Sequence, residues 1–414
     1  MSSVSASMSY LESYRRHVNR PYTDFLRRFG MDFEAGRASG AVVEDRRGRK
    51  YIDCIGGYGN LNIGHSHPRV VDAMIRALKA GRPFAWPFIS ETHGQLVEKL
   101  AEVTPGGLEC SLIVNSGAEA VDSVLKLARL ATGRPGIVCC HGAWHGFTMG
   151  ALSVSEPEMC KSFDPLLPGV RRVPFGDARA AAGAITPEVG ALLVEPIQSE
   201  SGGIVPPDGY LRELAGMCEA AGVLLVLDEI KCGMGKTGKM FACEFEGAEP
   251  DVLLVGKSLG GGVMPIGAVV AKRKWWGKFG LSFAMSSSSA AGNVLACVAG
   301  LATLEVIRSE NLCANAARQG ERLQQVLKGL IASHPNVLKG LTGRGLLLAL
   351  HVINPKAAAE ITSHCIQRGV LMMPAFLDRS RILIEPPLCV DDAQVDEVIG
   401  SLRGACDAVA IEKP

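Results

Sequence analysis

Between about residue 90 and residue 300 the chain repeats one pattern: a short apolar run, a polar loop, then a stretch long enough for a helix. Leu112–Val114, Gly136–Cys139, Ala191–Val194, Val223–Leu227, Val252–Val255 and Gly267–Val270 are the apolar runs. A strand is apolar throughout, rather than at every second residue, when both faces of its sheet are covered. Parallel neighbours also require long connections. The pattern therefore predicts an α/β fold with a mainly parallel sheet between helices. Ligands of such sheets bind beyond the carboxyl ends of the strands. Polar residues collect there: Asn115, Ser116 and Gly117 after the first run, Glu195 after the third, Asp228 after the fourth and Lys257 after the fifth.

The flanks read differently. Residues 1–40 suggest a helical arm and a turn, and Ala41–Asp53 suggests two short strands around Arg47-Gly48. A glycine-rich stretch, Gly56–Gly59, leads into Gly64–Pro68, and helical spacing runs from Val70 to Leu78. Beyond residue 305 come a helix over Ala314–Leu330, strand-like runs at Gly345–Leu350 and Ile382–Ile384, and a last helix near Gln394–Val409. The expected division is an N-terminal arm with a small-domain segment (1–65), a large domain (66–304) and a C-terminal small domain (305–414). The smaller α+β domain is thus built from both chain ends.

Composition narrows the function. A net charge of +1 gives no overall field to attract nucleic acid or an anionic membrane. No apolar run is long enough to span a bilayer, and Met1–Tyr10 lacks the apolar core of a secretory leader. The 13 cysteines are scattered without Cys-x-x-Cys spacing, which reads as free thiols in a reducing compartment. The expected location is the cytoplasm. His65 and His67 lack a suitably spaced third ligand and are expected to hydrogen-bond in a turn, so no metal site is expected. Gly233–Gly238 contains Gly-Lys-Thr, but Ile230 stands where a nucleotide phosphate loop needs its first glycine.

A different constellation carries the chemistry. Asp228 closes an apolar strand, where an unpaired carboxylate is expensive to desolvate unless it serves a site. Lys257 closes another and is followed by Gly260-Gly261-Gly262, which permit close backbone approach. Ser116-Gly117-Ala118 opens a helix, where backbone N–H groups attract phosphate. Trp144 follows the second strand and can lie over a flat ring. A lysine amine, a carboxylate for a pyridine nitrogen and a phosphate cradle together suit pyridoxal 5′-phosphate (PLP), which withdraws electrons from a substrate carbon.

These residues resemble the class III, or omega, aminotransferases of the fold type I PLP enzymes. The resemblance runs from about residue 38 to 400 through Gly56–Pro68, NSGAEA at 115–120, HGAWHGF at 141–147, EPIQSE at 195–200 and PPDGY at 206–210. It continues through LDEIKCGMGKTG at 227–238, KSLGGG at 257–262, Gly292-Asn293 and Pro386-Pro387-Leu388. It implies a large domain with a seven-stranded sheet, Lys257 as the Schiff-base lysine and Asp228 as the pyridine-nitrogen partner. Ser116, Gly117 and Ala118 would surround the phosphate. Trp144 and Ile230 would lie on opposite ring faces, with His145 and Gln198 near the cofactor. Glu200 matches an acid that pairs with an active-site arginine or a substrate amine, and Tyr58 is a further pocket candidate. Family members are homodimers or dimers of dimers with shared active sites, and Ser289 matches the hydroxyl residue that reaches the partner's phosphate.

The sequence also departs from that family. Leu383 stands where members that bind a substrate carboxylate often place arginine, and Arg381 lies two residues away. Without a bidentate guanidinium, an alpha-carboxylate loses its best partner. A terminal amine or aldehyde substrate is therefore favoured over a keto or amino acid held by that carboxylate. Lys231 replaces a usually neutral residue, Lys236 replaces arginine, and Phe283–Ala291 (FAMSSSSAA) departs from the usual run. The same fold also admits an aminomutase, a racemase or epimerase, a decarboxylase and a non-enzymatic PLP-binding protein.

Overall fold

The computed structural model describes residues 2–81, 89–281 and 288–411. Of the unusual Phe283–Ala291 run, residues 283–287 lie outside the described residues. The central element is a seven-stranded sheet. Across it the order is Cys110–Val114, Gly267–Ala271, Val252–Val255, Leu224–Asp228, Val189–Val194, Gly136–Cys140 and Val170–Val173. Every neighbouring pair is parallel except the two made by Gly267–Ala271, which runs antiparallel on both sides. Five strands, Gly136–Cys140, Val189–Val194, Leu224–Asp228, Val252–Val255 and Gly267–Ala271, are buried at every position. That is why they read as unbroken apolar runs.

The strand Val170–Val173 was not evident from sequence. Its two central residues are arginines and it forms the sheet edge, so it carries no apolar signature. Arg172 folds back to donate to the carbonyls of Ser153 and Ser155.

Two four-stranded sheets flank this core. In one, Ala35–Ser39, Val42–Asp45 and Lys50–Asp53 are antiparallel, and Val370–Leu371 adds on in parallel. The chain ends thus share a sheet, as expected, although part of the anticipated turn before residue 40 is the strand Ala35–Ser39. In the other, Leu338–Arg344, Leu347–Val352, Arg381–Ile384 and Met373–Pro374 pair antiparallel. The 304/305 division falls inside the helix Val294–Ser309. The expected helices span Pro68–Lys79, Leu312–Ser333 and Asp392–Ile411. His65 bonds Asp53 at 2.9 Å and His67 bonds Glu310 at 3.1 Å.

One lysine fastens the C-terminal sheet to the core. Lys236 has no exposed surface, and its Nζ donates to the carbonyls of Glu385 at 3.2 Å and Pro386 at 3.0 Å. Burial pushes its pKa down from 10.5 to about 8. The unfolded chain therefore binds a proton between pH 8 and 10.5 that the folded chain lacks, so this group's contribution to stability rises with pH across that window. Below pH 8 both states are protonated and the contribution is flat. Denaturant unfolding of wild type and Lys236→Met checks this. The difference, wild type minus variant, should rise by roughly 3 kcal/mol between pH 8 and 10.5, and a difference independent of pH would contradict it.

Candidate active site

Two adjacent parallel strands set the geometry. Asp228 ends one and lies opposite Leu254 of the next, so Lys257 follows three residues later beside the same edge. Lys257 holds φ of 43°, a left-handed conformation uncommon for a side-chain-bearing residue. Both side chains open into a cavity of about 360 Å³.

Asp228 is buried and held at both oxygens. Oδ2 lies 2.6 Å from His145 Nδ1, and Oδ1 accepts the Ile230 N–H at 3.0 Å. Burial acts to lower the His145 pKa, but the Asp228 carboxylate outweighs it and holds the ring above the ordinary histidine value. Burial pulls Lys257 below the ordinary lysine value, and the Lys231 ammonium adds to the effect.

The loop Cys140–Phe147 is pinned from beneath. Gln198 donates to the His141 carbonyl at 2.7 Å, Ser201 donates to Gly142, and Glu195 accepts the Trp144 N–H at 2.9 Å. Burial pushes the Glu195 carboxyl up to about 7. This loop carries Trp144 into the cavity wall, edge-on to Phe147 and Phe376 with ring centroids 4.8 Å away in each case.

At the opposite wall the Gly117–Thr132 helix starts, with Ser116 capping it by accepting the Glu119 N–H. The first-turn N–H groups of a helix have no acceptor within it, so those of Gly117 and Ala118 are available at the cavity. Gly117 packs directly on Ile230. A Cβ there would lie 2.9 Å from both Ile230 Cδ1 and Cγ2.

These groups fit PLP. A helix N-terminus suits its phosphate, a buried carboxylate suits its protonated ring nitrogen, and Trp144 and Ile230 offer apolar surface for a flat ring. The buried His145 Nε2, which has no hydrogen-bond partner in the protein, adds a polar atom beside that carboxylate.

The model of the class-III aminotransferase family matches residues 29–406. The chain belongs to that family. Two structures of ornithine aminotransferase from Toxoplasma gondii are similar to it. One is 30% identical with a TM-score of 0.89, covering 98% of this chain and 96% of that one. The other, described with partial occupancy of PLP at its active site, is 29% identical with a TM-score of 0.87, covering 100% and 99%. Ornithine delta-aminotransferase from Plasmodium falciparum is 28% identical with a TM-score of 0.81, covering 95% and 99%. This chain is a PLP-dependent aminotransferase that moves amino groups between small amines and carbonyl compounds through Schiff-base chemistry.

Most residues singled out from sequence meet in this aminotransferase's cavity. Gly117, Ala118, Trp144, His145, Glu200, Asp228, Ile230 and Lys257 line it. Others stand elsewhere. Gln198 serves the loop beneath Trp144. Tyr58 is 45% exposed and outside the lining, although Glu200 and Lys231 lie close enough to influence its hydroxyl. Ser289 is exposed in a turn, whereas the neighbouring Ser288 hydroxyl accepts from Asn115 at 2.9 Å.

Neither candidate for a substrate carboxylate reaches the cavity lining. Leu383 is buried with Ala349 and Ala375. Arg381 is taken up by Asp378 at 2.8 Å and His351 at 3.1 Å, and its stem packs against Gly202. Two residues apart on one strand, they share a face, where Leu383 meets its own sheet and Arg381 is spent on Asp378, His351 and Gly202.

Glu195, which the sequence places at a ligand-binding strand end without a specific role, also lines the cavity, as do Phe147, Thr148 and Lys231, for which no role is expected. An acid closing a buried strand was the available signal for Glu195. The close packing of Gly117 against Ile230 yields a test. Gly117→Ala should weaken PLP binding about tenfold, the effect of roughly 1.4 kcal/mol, and adding Ile230→Ala should recover part of the loss. PLP fluorescence titration measures it, and unchanged affinity in Gly117→Ala would contradict the packing argument.

Proposed function

We propose that this enzyme takes its amino group from a terminal primary amine, or gives it to the matching aldehyde, rather than from an amino acid held by its alpha-carboxylate. The observation carrying this reading is the use of Arg381 by Asp378 and His351, together with Leu383 in the place of an arginine. Lys231, which lines the cavity with Lys257, is already held by two carboxylates. The Plasmodium relative's name places its reaction at the delta position of ornithine, which agrees with chemistry at a chain end.

In this reading Lys257 binds PLP, and its amine, held below the ordinary lysine pKa, carries the proton to and from the reacting carbon. PLP supplies an electron sink for the broken carbon–hydrogen bond. Asp228 would pair with the pyridine nitrogen, and His145 orients that carboxylate. The N–H groups of Gly117 and Ala118, beside Ser116, would hold the phosphate. Trp144 and Ile230 would pack against the faces of the ring, and Gln198 would steady the loop that carries Trp144. The enzyme works as a homodimer in which Ser289 approaches the partner's phosphate. The exposed Ser289 and the 74% exposed Phe147 support an interface there. The 13 unpaired cysteines support residence in the reducing cytoplasm.

Steady-state assays with terminal alkylamines and with glutamate test the substrate reading. The amines should exceed glutamate in kcat/KM by about tenfold or more, reflecting the lost clamp. Equal values at similar KM would refute the reading.

A further inference from the structure

Three charged side chains are buried in contact at one wall of the cavity. Lys231 Nζ lies 2.7 Å from Glu200 Oε1 and 3.1 Å from Glu385 Oε1, and the three side chains are 4%, 8% and 1% exposed. The contact to Glu200 is a directed hydrogen bond. That to Glu385 is an ion pair in poor alignment, leaving Oε1 without a hydrogen-bond partner.

Burial alone would lower the Lys231 pKa, but Glu385 and Glu200 outweigh it and hold the ammonium above the ordinary value. Burial would likewise raise Glu200, and Lys231 followed by Lys257 pull it below the usual carboxylate range. One ammonium faces two carboxylates, so the trio carries one negative charge in excess.

A buried excess charge is costly unless another cation comes near. The cations around it are otherwise engaged. Lys236 spends its hydrogen bonds on the carbonyls of Glu385 and Pro386. Arg381 pairs with Asp378, and Arg379 lies over the rings of Phe25 and Phe376. Lys257 belongs to the reaction. Of the trio, Glu200 and Lys231 face the cavity. A Cβ at Gly59 would lie 3.3 Å from Lys231 Cγ and 3.4 Å from Lys257 Cδ, so the trio and the reacting lysine share one small region.

We propose that Glu200, Lys231 and Glu385 form a specificity element that selects an amine whose far end also carries a positive charge and rejects one ending in a carboxylate. Glu200 meets the far end of the substrate. Lys231 and Glu385 position it and set the charge of that wall. The proposal rests on the cavity being the transamination site, and it adds the sign of the remote group.

Single-turnover conversion of the PLP form tests it, using donors that share one straight methylene chain and end in an ammonium, a methyl or a carboxylate. The wild-type order should be ammonium, then methyl, then carboxylate. In Glu385→Gln the ammonium-to-methyl ratio should fall by about tenfold, a loss of roughly 1.4 kcal/mol, whereas Glu385→Asp should keep the order. Glu200→Gln removes the same charge and should collapse the ratio even where Glu385→Gln does not fold. A wild-type order led by the carboxylate, or ratios unchanged in both glutamine variants, overturns the proposal. Failure of every donor would instead overturn transamination at this cavity.

Discussion

Desolvation of charge at the carboxyl edge of a covered apolar sheet governs this molecule. Asp228 completes a strand whose other residues are fully buried, and Lys257 follows the adjacent one. Neither group is stable there alone, because an isolated charge removed from water costs several kcal/mol. His145 and the Ile230 N–H stabilise the carboxylate, and burial moves the lysine toward its neutral form. The same arrangement that is expensive to fold creates a nucleophilic amine beside a fixed negative charge, which is what PLP chemistry requires.

The rest of the structure keeps that edge in register. Glu195 and Gln198 fix the Trp144 loop from beneath, while Lys236 ties the segment at Glu385 to the core. Glu385 in turn reaches Lys231 at the cavity wall. The C-terminal sheet therefore contributes charge to the site through a chain of contacts rather than through an arginine. Arg381, which lies on that sheet, braces the segment after Glu200 by packing on Gly202. These contacts also account for the substrate reading, since Arg381 and Arg379 both have other partners.

Much of this was legible in the sequence, for a physical reason. Strands buried on both faces must be apolar throughout, so their polar ends stand out, and Asp228, Lys257, Glu195 and Ser116 were visible as such. What stayed hidden depends on partners far apart in the chain. Lys231 was recognisable as unusual, but nothing near it indicates that Glu200 and Glu385 close around it. Arg381 and Leu383 were candidates because of their strand, and only the folded structure shows that Asp378 and His351 engage Arg381 while Ala349 and Ala375 pack around Leu383. The edge strand Val170–Val173 was missed because arginines at an edge break the apolar run.

Three lysines lie near this site, Lys231 and Lys236 buried and Lys257 half-buried, and the cofactor belongs to Lys257. Borohydride reduction of the PLP-loaded enzyme, followed by peptide mass spectrometry, decides between them. A pyridoxyl adduct is expected on Lys257 alone, because two carboxylates clamp Lys231 and two carbonyls clamp Lys236. An adduct on Lys231 or Lys236, with Lys257 unmodified, would contradict it.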